Sequence, residues 1–527
     1  MDSKNSMAIV NADFRTMNMA DPRAEAVLVL NGEIAKVGSD TEIRELAKEH
    51  RIDVADAGGL TVLPGFVDAH THMELSSYSL SNWPQAHTPP CTSLAEVAQI
   101  IREYLAKRSG NDFVLVRSSF GMHTKVDERR LFSRAELDEI APDRPVAVAS
   151  GFHALSLNTA AMELLGIFDL SDSPERFIHR DADGEPTGVV TEVHDILPFF
   201  AEDRLEAALR EQVPALATRL GVTTIGSITW DPYDPELLGR LIDEGMPLRL
   251  RSYVHAPRVM STDEALALAV DSRASILHAG IGGLKIFIDG QHGDGLDAVF
   301  DDPKWTQAAL NEFVAKASAS GTQVIMHAVS TTAIRMAFDA IEHCGAGAGN
   351  PLRHRIEHGA DNIEAGDIAR AASLGVLLLV TPQFIQSSEG ESSEPQALLR
   401  SILNAGVRLF GGTDTTGTVP EGAAPLFNIA CAISRPVQEG WTLDERLDFD
   451  EAARLFTSSA AYALFEEDSR GEISEGKVGD LVVLNRAVDE ICDPREYFDL
   501  RVTATVFDGR AVYDSLGVFD SRGWGAK

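Results

Sequence analysis

Cysteine is scarce in this sequence: Cys91, Cys344, Cys431 and Cys492 are the only four in 527 residues. They lie far apart and form no CxxC or Cys/His pair, which excludes a disulfide framework and a cysteine-based zinc site. Basic residues are few as well, 46 Lys plus Arg against 80 Asp plus Glu, for a net charge of −34. Phosphate backbones and anionic lipid surfaces would be repelled, so neither nucleic acid nor membrane is an expected partner. The acidic excess reads as a solvated surface and does not point to a cationic substrate. No apolar run reaches the ~18 residues of a membrane span, and the opening stretch MDSKNSMAIVNADFRTM lacks the apolar centre of a signal peptide. A cytoplasmic, reducing location is therefore expected. Low-complexity tracts are missing too, so disorder is not the default.

What is present is ordinary globular material, 44% hydrophobic and 24% charged, with 42 Gly and 23 Pro. The length exceeds one ordinary core but suits a barrel with a smaller satellite. Short strand-like runs punctuated by Asn-Gly and Gly-Gly turns fill the first 60 residues, among them EAVLVLNGEIAKVG and VADAGGLTVLPG. GKVGDLVVLNRAV and VTATVFDGRAVYD look alike near the other end. Neither end suffices for a stable sheet alone, so a small β-sandwich assembled from residues 1–62 and 471–527 is expected beside a central unit, 63–470.

Within the central unit, apolar β-rich runs recur ahead of helix-like segments. LPGFVDAHTH is followed by GVTTIGSI, PLRLRSYVH, GGLKIFIDG, GTQVIMHAV, RHRIEHG, GVLLLVTPQ and GVRLFGGTD, eight strands in all. From the second onward they follow at the spacing of strand-plus-helix units, and near-continuous apolar runs are what buried parallel strands look like. An α/β fold with a (β/α)8 TIM-type barrel is the expectation. The stretch from about 73 to 220 is too long for one crossover and must be an insertion. It leaves the C-terminal end of the first strand, where barrel active sites sit, so it is expected to wall or lid the pocket.

His70 and His72 on the first strand, Lys285 on the fourth, His327 on the fifth, His358 on the sixth and Asp414 after the eighth all fall at or near C-terminal strand ends. A lone histidine is more often a hydrogen-bonded structural residue, and there are fifteen. Six ionisable groups on the catalytic rim of one barrel are harder to explain by packing. His-x-His on a strand sets both imidazoles on one face, where they can grip one cation together, and Asp68 shares that face.

In LPGFVDAHTH, SGFHALSLNTAAM, PTGVVTE, GVTTIGSI, GGLKIFIDG, RHRIEHG, AGVRLFGGTD and the tail SSAAYALFEEDSRGEISEGKVGDLVVL, the chain resembles the amidohydrolase superfamily over nearly its whole length. The resemblance is to the branch that includes N-substituted formamide deformylase. It implies a divalent metal of the zinc class, one or two ions per chain. His70, His72 and Asp414 would hold the more buried ion, and His327 and His358 the more exposed one. Lys285 would bridge them as an N-carboxylated lysine; a lysine reaching outward from strand four is the alternative. A divalent ion lowers the pKa of bound water to about 7, and Asp414 would take that water's proton and return it to the leaving nitrogen. His153 and Glu192 would face the substrate from the insertion, or be buried hydrogen-bonded residues. Asp289 would orient a ligand or cap a loop. The implied substrate is a small molecule with an amide-type C–N bond, and a homodimer stays open.

Two departures limit the resemblance: HAVST stands where relatives commonly read HAIGD, and GTDTT where they read GSDAP. The ligands survive, but the adjacent pocket loops differ. A mononuclear deaminase of the same superfamily would use a carboxylate shortly after the strand-five histidine, and AVSTT supplies none. A non-catalytic scaffold should have lost ligands, and all six remain. GTDTTGT and GDGLD lack the GxGxxG spacing of a dinucleotide site.

Overall fold

The computed structural model describes residues 5–519 apart from 152, 173–176, 193, 257, 275, 291–302, 346–348, 388–396, 416–419 and 436–443. The GDGLD stretch and the end of GTDTTGT lie outside the described residues. Eight strands form one all-parallel sheet in chain order: Phe66–Thr71, Val222–Ile228, Arg249–His255, Ala279–Phe287, Gln323–His327, Arg355–Glu357, Leu377–Val380 and Arg408–Gly411. Each of the eight apolar runs of the sequence supplies one, and the sheet curls into a (β/α)8 barrel. Between strands eight and one, the Asp414 amide donates to the His70 carbonyl at 2.9 Å.

Helices outside the barrel follow from apolar spacing and capping residues. Gln307–Ala319 buries Leu310, Phe313, Val314 and Ala317, with the Thr306 hydroxyl accepting from the Ala309 amide. Thr331–Gly345 buries Ala333, Ile334, Ala337, Phe338, Ala340 and Ile341 in the same way. No helix among the described residues is long and apolar enough to cross a membrane. None of the four cysteines is joined in a disulfide.

The insertion joins strand one to strand two. It carries helices Leu94–Lys107 and Glu202–Leu216 and a five-stranded sheet that runs from Val114–Ser118 through Val146–Ser150 and Ala154–Leu157 to Pro186–Thr191 and Phe177–Arg180. The ends of the chain build the β-sandwich. One sheet holds Met7–Val10, Ala26–Leu30, Glu33–Gly38 and Val54–Asp56; the other pairs Thr61–Pro64 with Leu481–Leu484 and so mixes both ends. Between them Ile9, Phe14, Val27, Val29, Val62, Leu481, Val483 and Val506 make a dry core. The sequence reading found only strands in the first 60 residues, whereas Asp40–His50 is a helix. Ser39 caps it and only Ile43 and Ala47 are buried, so its apolar stripe is too narrow to stand out.

Arginines enter the barrel near the beginnings of the strands. Arg251 meets Glu466 at 2.9 Å, and Arg470 reaches the same carboxylate at 3.3 Å. Arg249 pairs with Asp480 and Asp508. These acids all come from the segment after the barrel, so charge pairing fastens that segment to the end opposite the site.

Candidate metal centre

At the other end of the barrel the six expected residues are gathered. His70 lies within strand one, while His72 follows it and begins the helix Met73–Asn82. Both imidazoles nevertheless reach one carboxylate: Asp414 Oδ1 is 3.5 Å from His70 Nε2 and 3.2 Å from His72 Nε2. One donor atom from each of His70, His358 and Asp414 lies within 4.8 Å of the others. The His358 ring is 5.2 Å from that of His70 and 4.9 Å from that of His327, which ends strand five. Lys285 is buried two residues before the end of strand four, its Nζ 4.6 Å above the Phe287 ring.

The backbone bends sharply to make this arrangement. His358 and Asp414 adopt positive φ, +63° and +47°, each just past the end of its strand. Such conformations cost about 1–3 kcal/mol and concentrate at functional sites. Gly412 makes room for the bend, since a Cβ there would sit 2.5 Å from His70 Cβ. Asp68 turns away from the cluster and holds the approach to Asp414, accepting from the Thr413 amide at 2.9 Å and its hydroxyl at 2.5 Å.

Electrostatics favour the metal-binding protonation states of His72, His327, His358 and Asp414. Burial pushes His72 and His327 below the usual imidazole range, and His358 down to about 3, so these rings are neutral and can offer a lone pair. Burial would raise Asp414, but hydrogen bonds from His70 and His72 outweigh it and hold the carboxyl well below its ordinary value. Burial draws Lys285 down to about 8 against the opposing pull of Glu357 and Asp414. His72 Nδ1 and His358 Nδ1 are buried without a hydrogen-bond partner among the described residues. Buried imidazoles with unpaired nitrogens, gathered with the Asp414 carboxylate, are a donor set a divalent cation satisfies, and the residues fit such an ion.

His153 lies at the wall of this centre, its ring 5.5 Å from that of His327. Its Nδ1 is 2.7 Å from Glu192 Oε1, and Lys304 Nζ is 3.2 Å from the other oxygen. Asp289 is buried, and its carboxylate accepts from the amides of Val329 at 3.1 Å and Ser330 at 2.7 Å, which caps the loop after His327.

Sequence reasoning missed Glu357. This wholly buried carboxylate bonds His70 Nδ1 and accepts from Arg355 Nε at 2.9 Å. It fixes the His70 tautomer and leaves Nε2 facing Asp414. Period-two alternation in RHRIEHG, which sets Arg355 and Glu357 on one face, was the available signal. His194 and His255 were missed too. His255 ends strand three beside Lys285, and its ring is 5.9 Å from that of His194.

Comparison with known proteins agrees with this geometry. The model of the amidohydrolase family matches residues 53–513. N-substituted formamide deformylase of Arthrobacter pascens is 29% identical over 98% of this chain and 100% of its own length. Among solved structures, an uncharacterized metal-dependent hydrolase from Pyrococcus furiosus superposes with a TM-score of 0.67 at 21% identity, covering 93% of this chain and 100% of that one. Atrazine chlorohydrolase TrzN from Arthrobacter aurescens TC1, solved with zinc, does so with 0.56 at 14% identity, covering 97% and 95%. The family match spans the barrel, its insertion and the C-terminal strands of the sandwich, and the chain belongs to the amidohydrolase family, hydrolases of carbon–nitrogen bonds other than peptide bonds.

Proposed function

We propose that this chain hydrolyses an amide-type C–N bond of a small molecule at a divalent metal centre held by His70, His72, Lys285, His327, His358 and Asp414. The observation that carries the reading is the convergence of His70, His358 and Asp414 within 4.8 Å, with two buried imidazole nitrogens beside them lacking partners among the described residues. When bound, a zinc-class ion supplies Lewis acidity and activates water at neutral pH.

The chain's own residues do the rest. Glu357 keeps His70 in one tautomer, so its Nε2 stays turned to the centre. Asp414, ionised at neutral pH, is the base that takes a proton from the attacking water and delivers it to the leaving nitrogen. Lys285, its amine eased toward neutrality by burial, would release a proton on taking up CO2 and, as the carbamate, would offer two oxygens as metal ligands. His153 contacts the substrate from the insertion, with Glu192 behind it. Asp289 holds the loop that follows His327 in register with the pocket.

A second reading, a single-ion hydrolase, has one observation in its favour. His70, His358 and Asp414 each bring one donor atom within 4.8 Å of the others, and three such donors suffice for one ion. Metal analysis of purified protein separates the two. The two-ion form loses metal in Lys285→Ala, with short carboxylic acids plus metal partly restoring activity. A metal content unchanged in Lys285→Ala selects the single-ion form. Hydrolysis that survives complete chelation ends both. A panel of formyl, acyl and cyclic amides then identifies the substrate.

A further inference from the structure

Beyond the six-residue centre, the insertion brings a second set of donors together. One donor atom from each of His153, Glu192 and His194 lies within 4.8 Å of the other two. His153 sits in the turn between strands Val146–Ser150 and Ala154–Leu157, and Glu192 and His194 follow strand Pro186–Thr191. Ala154 pairs with Thr191, and the Glu192 amide donates to the His153 carbonyl at 2.8 Å. The ladder thus ends with its donors side by side.

Several features hold this group in place. Glu192 has φ +55°, an unusual conformation for a residue with a side chain. Gly290, at the end of GGLKIFIDG, lacks the Cβ that would lie 2.6 Å from Glu192 Oε1. Arg258 anchors the backbone that carries His194: its guanidinium donates to the His194 carbonyl, to that of Leu197 at 3.0 Å and to that of Trp230 at 2.9 Å. Lys304 pairs with Glu192 Oε2, while Oε1 lies 2.7 Å from His153 Nδ1. A carboxylate oriented through one oxygen by an outer hydrogen bond is how metal-ligating acids are commonly held. His194 is buried, and burial keeps its imidazole neutral, the form that ligates.

We propose that His153, Glu192 and His194 form a separate binding site for one first-row transition dication. Two imidazoles and a carboxylate are borderline donors suited to Zn2+ or Co2+, and three protein ligands leave a coordination position open. Binding replaces the proton between His153 Nδ1 and Glu192 Oε1, and that proton leaves to solvent, so affinity falls as the solution is acidified. Nε2 of His153 remains on the side of the ring that the ion does not use, so a substrate contact is preserved. The ion would tie two ends of the inserted sheet together at the wall of the active centre.

The test is a metal count on the full chain. Metal-free protein is titrated with Co2+ and the bound equivalents are measured by elemental analysis after gel filtration. Glu192→Gln and His194→Ala are each expected to bind one equivalent fewer than the unsubstituted chain, and no fewer than that. Glu192→Gln is nearly isosteric, so it gives the answer even if His194→Ala does not fold. A count in Glu192→Gln equal to that of the unsubstituted chain overturns the proposal. The outcome is independent of the main centre, whose loss would show as the disappearance of equivalents that both variants keep.

Discussion

The two ends of the barrel handle buried charge in opposite ways. Where the strands begin, Arg249 and Arg251 meet Asp480, Asp508 and Glu466, carboxylates brought by the segment after the barrel. Where they finish, imidazoles crowd one another, two buried nitrogens lack partners among the described residues, and His358 and Asp414 hold strained backbone. The first end spends its charges on pairing and so contributes cohesion. The second keeps unmet bonding capacity, which only something bound there can use. Strand three shows both in seven residues, running from Arg249 to His255.

The sharpest way to break this contrast is to neutralise an acid at the pairing end. Glu466→Gln leaves Arg251 and Arg470 without their buried countercharge, and losing one partner of such a pair costs about 3–5 kcal/mol. Denaturant unfolding should show that loss, while kcat/KM below the transition stays near its original value. At the other end the pattern reverses. Asp414→Asn keeps shape but removes the base, so kcat should fall about 100-fold or more with stability and metal content little changed. A variant with near-normal turnover would move the proton shuttle elsewhere.

Gly412→Ala probes the border between cohesion and function. The added methyl meets His70 Cβ and backbone, and overpacking of this kind costs about 1–3 kcal/mol. Because the displaced group is a ligand, metal affinity should weaken along with stability, as equilibrium dialysis would reveal. The smallest effect expected is one of pH. Burial raises Asp289 from its usual 3.8 to about 6, so the folded chain keeps a proton that the unfolded chain has released. This stabilisation is complete below about 4 and fades as pH rises through 6. Asp289→Asn should flatten that part of the stability profile, and an unchanged slope would assign it to other carboxyls.

Much of this was legible in the sequence because parallel barrel strands are buried on both faces. Runs such as GTQVIMHAV and GVLLLVTPQ carry their own signature, and the chemistry collects at one end of them. His70, His72, Lys285, His327, His358 and Asp414 could be picked out by that position. Glu357 was harder to find, because only facing direction tells it from its neighbours, and the strand Arg355–Glu357 is three residues long, which makes period-two alternation a weak signal. His194 and His255 look like ordinary structural histidines until the fold brings them together. The helix Asp40–His50 escaped notice because its helical face is nearly all exposed.

The sheet shared by the two ends of the chain bears on how the molecule comes to exist. Thr61–Pro64 finds its partner, Leu481–Leu484, only after about 400 further residues have been made, and strand one must wait through the whole insertion for strand two. Sequential folding during synthesis therefore cannot complete the sandwich. An emerging chain would carry an unpaired strand edge until its last segment is released, a state prone to mispairing and aggregation. Completion of the sandwich must then wait for docking of the C-terminal strands, and expression at lower temperature, which gives that docking more time relative to aggregation, should raise the soluble yield.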